Sequence, residues 1–142
     1  MARVDFYVLN STGELSRQTF ACRLAEKAWR LSHSVHIQTA GRQEAGRLDE
    51  LLWTFRDGSF VPHELVEHPG EDSEAPITIA FAADSLHAAD LLINLTDRIP
   101  QELGSFPRVA EIVTSEDERR RHGRKLFAEY RSQGHSLETH KL

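Results

Sequence analysis

Cysteine is nearly missing from this chain. Cys22 stands alone among 142 residues, so no internal disulfide can form, and such usage fits a reducing cytoplasm. Long apolar runs are missing too. The longest are a few residues, far short of the ~20 that a bilayer-spanning helix needs. No secretory stretch is expected, because Met1-Ala2-Arg3-Val4-Asp5-Phe6-Tyr7 leads straight into a strand. His33 and His36 flank a strand start and the other six histidines are scattered. None is joined by cysteine or carboxylates at ligand spacing, so no metal site is expected. A positive surplus is also lacking: 17 Lys/Arg face 22 Asp/Glu, a net charge of −5. That balance argues against a duplex binder relying on phosphate neutralisation. There are no repeats or low-complexity tracts.

What is present reads as a folded α/β protein. Hydrophobic residues make up 39% and charged residues 27%, and the length suffices for one domain over 1–142 to bury a core unaided. Val4–Leu9 is apolar and β-branched, a buried strand. Asn10-Ser11-Thr12-Gly13 makes a turn into a helix over Leu15–Leu31, with Phe20, Leu24, Ala28 and Leu31 on one face. Val35–Thr39 is a second strand and Gly41–Trp53 a second helix. Glu64–Ala75 is polar and reads as a mobile loop. Ile77–Phe81, Leu91–Leu95 and Phe106–Val113 are further strands, and Ser115 caps a helix running to about Ser132. Strands alternating with helices of this length predict a three-layer, Rossmann-like domain. Its mainly parallel sheet of about five strands is covered on both faces.

Such a sheet invites a nucleotide, and the loops speak against one. Asn10-Ser11-Thr12-Gly13-Glu14 has one glycine, no lysine, and a carboxylate where phosphate would sit. Gly41-Arg42-Gln43-Glu44-Ala45-Gly46-Arg47-Leu48 has the glycine spacing of a phosphate loop, but Arg47 and Leu48 replace the lysine and the magnesium-binding hydroxyl. No cofactor is expected. A nucleotide-dependent enzyme on a doubly wound sheet is therefore the disfavoured alternative. Cys22 lies beside the apolar face of the first helix, with no activating histidine identifiable, and reads as a packed thiol. Asp49-Glu50 reads as a solvated helix face and Asp57-Gly58 as a turn. No catalytic constellation emerges.

Two stretches stand out. From Leu48 to His63 a helix gives way to a loop that carries Trp53, Phe55, Phe60 and Val61 around Asp57-Gly58 and Pro62. Aromatics at this density in a loop are either buried beneath the domain or offered to a partner. In the last helix, at ~100° per residue, Arg120, Arg124, Phe127 and Arg131 fall within about 60° of one another. Gly123, Leu126 and Tyr130 cluster on a neighbouring face assigned to the core. From Glu116 onward seven Lys/Arg face five Asp/Glu, whereas the first 115 residues hold ten against seventeen. The stripe is either a solvated face laced by Glu116, Asp117, Glu118 and Glu129, or a dock for a partner with carboxylates and an apolar group.

Several strings resemble a known family. Leu48-Asp49-Glu50-Leu51-Leu52-Trp53-Thr54-Phe55 followed by Ser59-Phe60-Val61-Pro62-His63 is similar to the signature of the chi subunit of bacterial DNA polymerase III. The likeness extends to Cys22-Arg23-Leu24-Ala25-Glu26-Lys27-Ala28-Trp29, to Leu92-Ile93-Asn94-Leu95, to Phe106-Pro107-Arg108-Val109-Ala110-Glu111-Ile112-Val113 and to Tyr130-Arg131-Ser132-Gln133-Gly134. The resemblance implies a non-catalytic adaptor of the bacterial replisome, joining the clamp loader to the acidic tail of single-stranded DNA-binding protein. Polymerase activity would belong to the holoenzyme. It places the tail at Arg120, Arg124 and Phe127, with Val113, Gly134 and Thr139 nearby and Arg131 as an added cation. Ala128 stands where the family has a lysine, a loss that Lys125 or Arg131 could offset. It places the psi subunit or an equivalent, and a helicase-like partner, at Trp53, Phe60, Val61 and Pro62. DNA contact would be mostly indirect. Direct single-strand binding through the arginine-rich helix is a further alternative, weakened by the overall acidity.

Overall fold

The structure is a computed structural model and describes residues 2–58, 60–67, 73–82, 86–101 and 103–142. In chain order the elements are β1 (Arg3–Val8), α1 (Glu14–Arg30), β2 (Val35–Gln38), α2 (Arg42–Thr54), β3 (His63–Leu65), β4 (Ile77–Ala80), β5 (Leu91–Asn94), a 3-10 turn (Leu103–Ser105), β6 (Arg108–Val113), α3 (Asp117–Ser132) and β7 (Ser136–Lys141). The strands form one seven-stranded sheet in the order β3-β4-β2-β5-β6-β1-β7. Every pairing is parallel.

Side-chain alternation splits the core into two layers. Along β1, β5 and β6, Tyr7, Leu91, Ile93, Ala110 and Ile112 meet α1 and α2 through Ala21, Cys22, Ala25, Ala28, Ala45, Leu48 and Leu52. Val4, Phe6, Leu92, Val109 and Val113 point the other way, to Leu126 and Tyr130 of α3. Small residues on α1 let its axis lie close to the sheet. Its buried Arg17 crosses to the strand ends, donating from Nε to Ile112 O at 3.0 Å and from a terminal nitrogen to Leu95 O at 3.2 Å.

The expected fold class holds, with two added strands. β3 and β7 are polar edge strands, partly or fully exposed along their length, so neither carries the apolar signal by which a strand is read. β3 lies inside the stretch expected to be a loop, and residues 68–72 of that stretch fall outside the described residues. Leu31, expected on the apolar face of α1, is 62% exposed, because the helix ends before it. The α1 terminus is closed by bonds from Ser32 N to Trp29 O and His33 N to Ala28 O, with Ser32 at φ 68. Ser115 is not the cap of α3. Helical geometry starts at Asp117 after Glu116, and Ser115 N instead donates to Ser11 O at 2.9 Å.

Candidate docking surfaces

The two stretches singled out by the sequence lie at opposite edges of the sheet. Five strands separate β3 from β7, roughly 29 Å at ~4.8 Å per strand.

At the β7 edge, α3 approaches β6 closely because Gly123 has no side chain; a Cβ there would meet Val113 Cγ2 at 3.0 Å. Leu126 and Tyr130 continue this buried side, as their spacing predicts. Arg120, Arg124 and Arg131 are exposed on the neighbouring face, with Phe127 half-buried at the border. Phe127 rests on Phe6, ring centroids 5.3 Å apart, and the Arg131 guanidinium lies 5.1 Å from the Phe127 centroid. Acidic lacing of this face is not what the geometry has. Glu116 accepts a bond from Gly13 N at 2.9 Å. Among the described residues none of Arg120, Arg124 and Arg131 joins an ion pair; the paired arginine of this helix is Arg119, with Glu14 at 3.5 Å.

The end of α3 is set by Gly134 at φ 87. His135 N bonds Tyr130 O and Gly134 N bonds Arg131 O, which closes the helix and turns the chain into β7. Parallel pairing then sets exposed Thr139 opposite Phe6. Val113 is buried under Gly123, so its part is packing and it offers no surface.

At the β3 edge, Trp53 is 49% and Phe60 77% exposed. Their rings meet nearly edge to face, 6.4 Å apart at 73°. Trp53 also lies 4.4 Å from the His63 ring, which is buried and held from both sides: Nδ1 is 2.7 Å from Val61 O, and Nε2 is 3.1 Å from Asp49 O. His63 is thus a platform that sequence reading missed; only the fold brings it under Trp53. Asp49, read as part of a solvated face, reaches the same ring nitrogen through its carboxylate at 3.1 Å. Pro62 is exposed. Val61 departs from its expected place in the exposed patch: it is fully buried in the core beneath the loop.

The chemically suggestive residues find structural partners. Protein carboxylates stand at the starts of both helices where phosphate would bind: Glu116 at Gly13, and Glu44, whose Oε2 lies 3.0 Å from where a Gly41 Cβ would be. Burial pushes the Cys22 thiol up to about 12, which keeps it protonated and inert. One grouping was invisible in the sequence. Asp5, Glu138 and His140 converge across the β1–β7 pairing with ligand atoms within 4.8 Å of one another. Asp5 is already bound by Arg108 at 3.0 Å, Arg3 at 3.3 Å and His140 at 2.9 Å, and two guanidinium groups do not suit a cation site.

Residues 1–138 match the family described as DNA polymerase III chi subunit, HolC. The chain is 44% identical over 142 residues to DNA polymerase III subunit chi of Pseudomonas aeruginosa, covering 100% of this chain and 98% of that one. It is 33% identical over 138 residues to the subunit of the same name in Haemophilus influenzae, covering 95% and 94%. Against that of Escherichia coli it is 31% identical over 144 residues, covering 98% and 97%. Among solved structures it is similar to T4 UvsW, with a TM-score of 0.65 over 99% of this chain and 41% of that one. At 9% identity that is a likeness of fold alone.

Proposed function

This chain belongs to the DNA polymerase III chi subunit family, a component of DNA replication, and we propose that it acts as a non-catalytic adaptor within the holoenzyme. It works as one unit in the bacterial cytoplasm, binding psi or an equivalent clamp-loader component at one edge and the acidic tail of single-stranded DNA-binding protein at the other. The observation that carries this reading is the separation of two chemically unlike patches, exposed aromatics at β3 and, beside Phe127 at β7, arginines that join no ion pair among the described residues. Arginine forks pair carboxylates, and a terminal phenylalanine finds the half-buried Phe127 ring beside them. Trp53 and Phe60, with Pro62, supply rigid apolar area for the second partner or for a helicase competing for it. Polymerase activity belongs to the holoenzyme, and DNA is met mainly through the proteins that coat it.

Because Arg120, Arg124 and Arg131 join no ion pair among the described residues, direct single-strand binding is the second reading. One experiment separates them. The chain is mixed with psi and with the tail peptide, and the complexes are resolved by size-exclusion chromatography, with oligothymidylate as a third ligand. Adaptor action requires a ternary complex. Trp53→Ala/Phe60→Ala should lose only psi, and Arg120→Ala/Arg124→Ala only the tail. One variant losing both partners, or oligothymidylate outcompeting the tail, would overturn the proposal.

A further inference from the structure

A third surface is cut between the C-terminal half of α1 and the turn after α2. The cleft, about 860 Å³, is lined by Arg23, Glu26, Lys27, Arg30, Leu31 and the 55–58 turn, including Phe55, Arg56 and Asp57. Its charge runs against that of the molecule. Four cations face two carboxylates, a local balance of +2 on a chain of net −5. One of those carboxylates is inaccessible: Glu26 is 5% exposed, accepts a bond from Arg56 and lies 3.6 Å from Arg30. Glu26 therefore works as a pivot. It ties α1 to the turn and holds two guanidinium groups at the cleft rim, with other N–H groups left over on each fork. Arg23 and Lys27 are exposed and, among the described residues, join no ion pair. Within this cationic rim lie Leu31, left outside the core by the end of α1, and the half-buried Phe55.

From this arrangement we infer that the cleft docks an acidic protein segment carrying a bulky apolar side chain. Carboxylates of the segment pair with Arg23, Lys27 and the outer edges of Arg30 and Arg56, and the apolar side chain lies against Leu31 and Phe55. Charge complementarity selects the occupant. Nucleic acid fits less well, because four cations confined to one cleft on a chain of net −5 match a short acidic segment better than a continuous run of phosphates. The pivot makes the site preorganised, so little side-chain entropy is lost from Arg30 and Arg56 on binding. This surface is separate from the α3 stripe, and its assignment does not depend on that one.

The test uses the full chain carrying Arg120→Ala/Arg124→Ala, so that the α3 stripe is silent. The probe is a fluorescein-labelled peptide of four aspartates followed by leucine and phenylalanine, with an all-aspartate peptide and oligothymidylate as comparisons, read by fluorescence anisotropy. The leucine-phenylalanine peptide should bind more tightly than the all-aspartate one. Adding Arg23→Glu/Lys27→Glu should weaken it roughly tenfold, the scale of several partly exposed ion pairs acting together. Leu31→Ser should weaken it without changing the salt dependence that Arg23 and Lys27 impose. Circular dichroism of each variant establishes that the fold is kept, which is expected because all three residues are exposed. No binding of the peptide, equal binding with and without the charge reversals, or tighter binding of oligothymidylate would each overturn the inference.

Discussion

The Tyr130 hydroxyl donates a 2.6 Å hydrogen bond to Glu111, joining α3 to the centre of β6 inside the core. Asn94 of β5 donates to the same carboxylate oxygen at 2.7 Å. Burial pushes the Glu111 carboxyl up from 4.5 to about 7, even though the Tyr130 and Asn94 bonds favour its charged form. On the β2 side of the sheet His36 is wedged between Thr78 and Gln38, and burial lowers it from 6.5 to about 4.

These two groups oppose each other as pH changes. The raised Glu111 pKa contributes stability that is complete below pH 4.5 and lost as pH rises through about 7. The lowered His36 pKa contributes stability that is present above pH 6.5 and lost as pH falls toward about 4. Each contribution amounts to about 3 kcal/mol at most, so the two nearly cancel between pH 4.5 and 6.5. Glu111→Gln should remove one of them and expose a stability that climbs with pH across that window. Urea unfolding at pH 5, 6, 7 and 8 reads this directly. Superimposable profiles for the two proteins would mean that Glu111 does not titrate there.

The aromatic patch predicts a split between stability and binding. Phe60→Ala should change unfolding free energy by about 0.5 kcal/mol or less, since the ring is 77% exposed, yet it should abolish capture of psi. Val61→Ala, one residue along, should cost about 2 kcal/mol because Val61 is fully buried. Should Phe60→Ala prove the more destabilising of the two, the exposed-anchor assignment fails.

Arg124→Ala should leave stability within about 0.5 kcal/mol, since it joins no ion pair among the described residues, and remove most tail binding. Ala128→Lys restores the cation that the family resemblance expects beside the stripe and should tighten tail binding by about two- to fivefold at low salt. Isothermal titration with the tail peptide measures both. A tail that ignores both changes docks elsewhere.

Gly123 is the point at which α3 touches β6. Gly123→Leu must displace Val113 or lift the helix, at a cost of about 1–3 kcal/mol, and it should also weaken the tail by moving Phe127. The same substitution at Gly46, inside α2 where an added Cβ meets nothing within 4 Å, is the control and should be neutral or mildly stabilising, since leucine favours the helix. Equal midpoints for the two variants would remove the argument for close approach.

Much of this molecule was readable from residue order alone. Short apolar runs such as Ile77-Thr78-Ile79-Ala80 between helical periods dictate a parallel sheet with helices on both faces, because such strands must be buried twice over. The 3.6-residue period by itself separates Gly123, Leu126 and Tyr130 from the arginine stripe, since helical phase is a local property. What the sequence could not decide depends on contacts between distant residues. Trp53 and Val61 looked alike as loop hydrophobics, yet one is exposed over His63 and the other buried, which only the path of the chain around β3 settles. Edge strands β3 and β7 carry no apolar signal, because parallel pairing on one side is enough to hold them. The lack of an ion pair at Arg124 among the described residues and the basic cleft at Glu26 likewise arise from which charges happen to meet in space, a question that spacing along the chain does not touch.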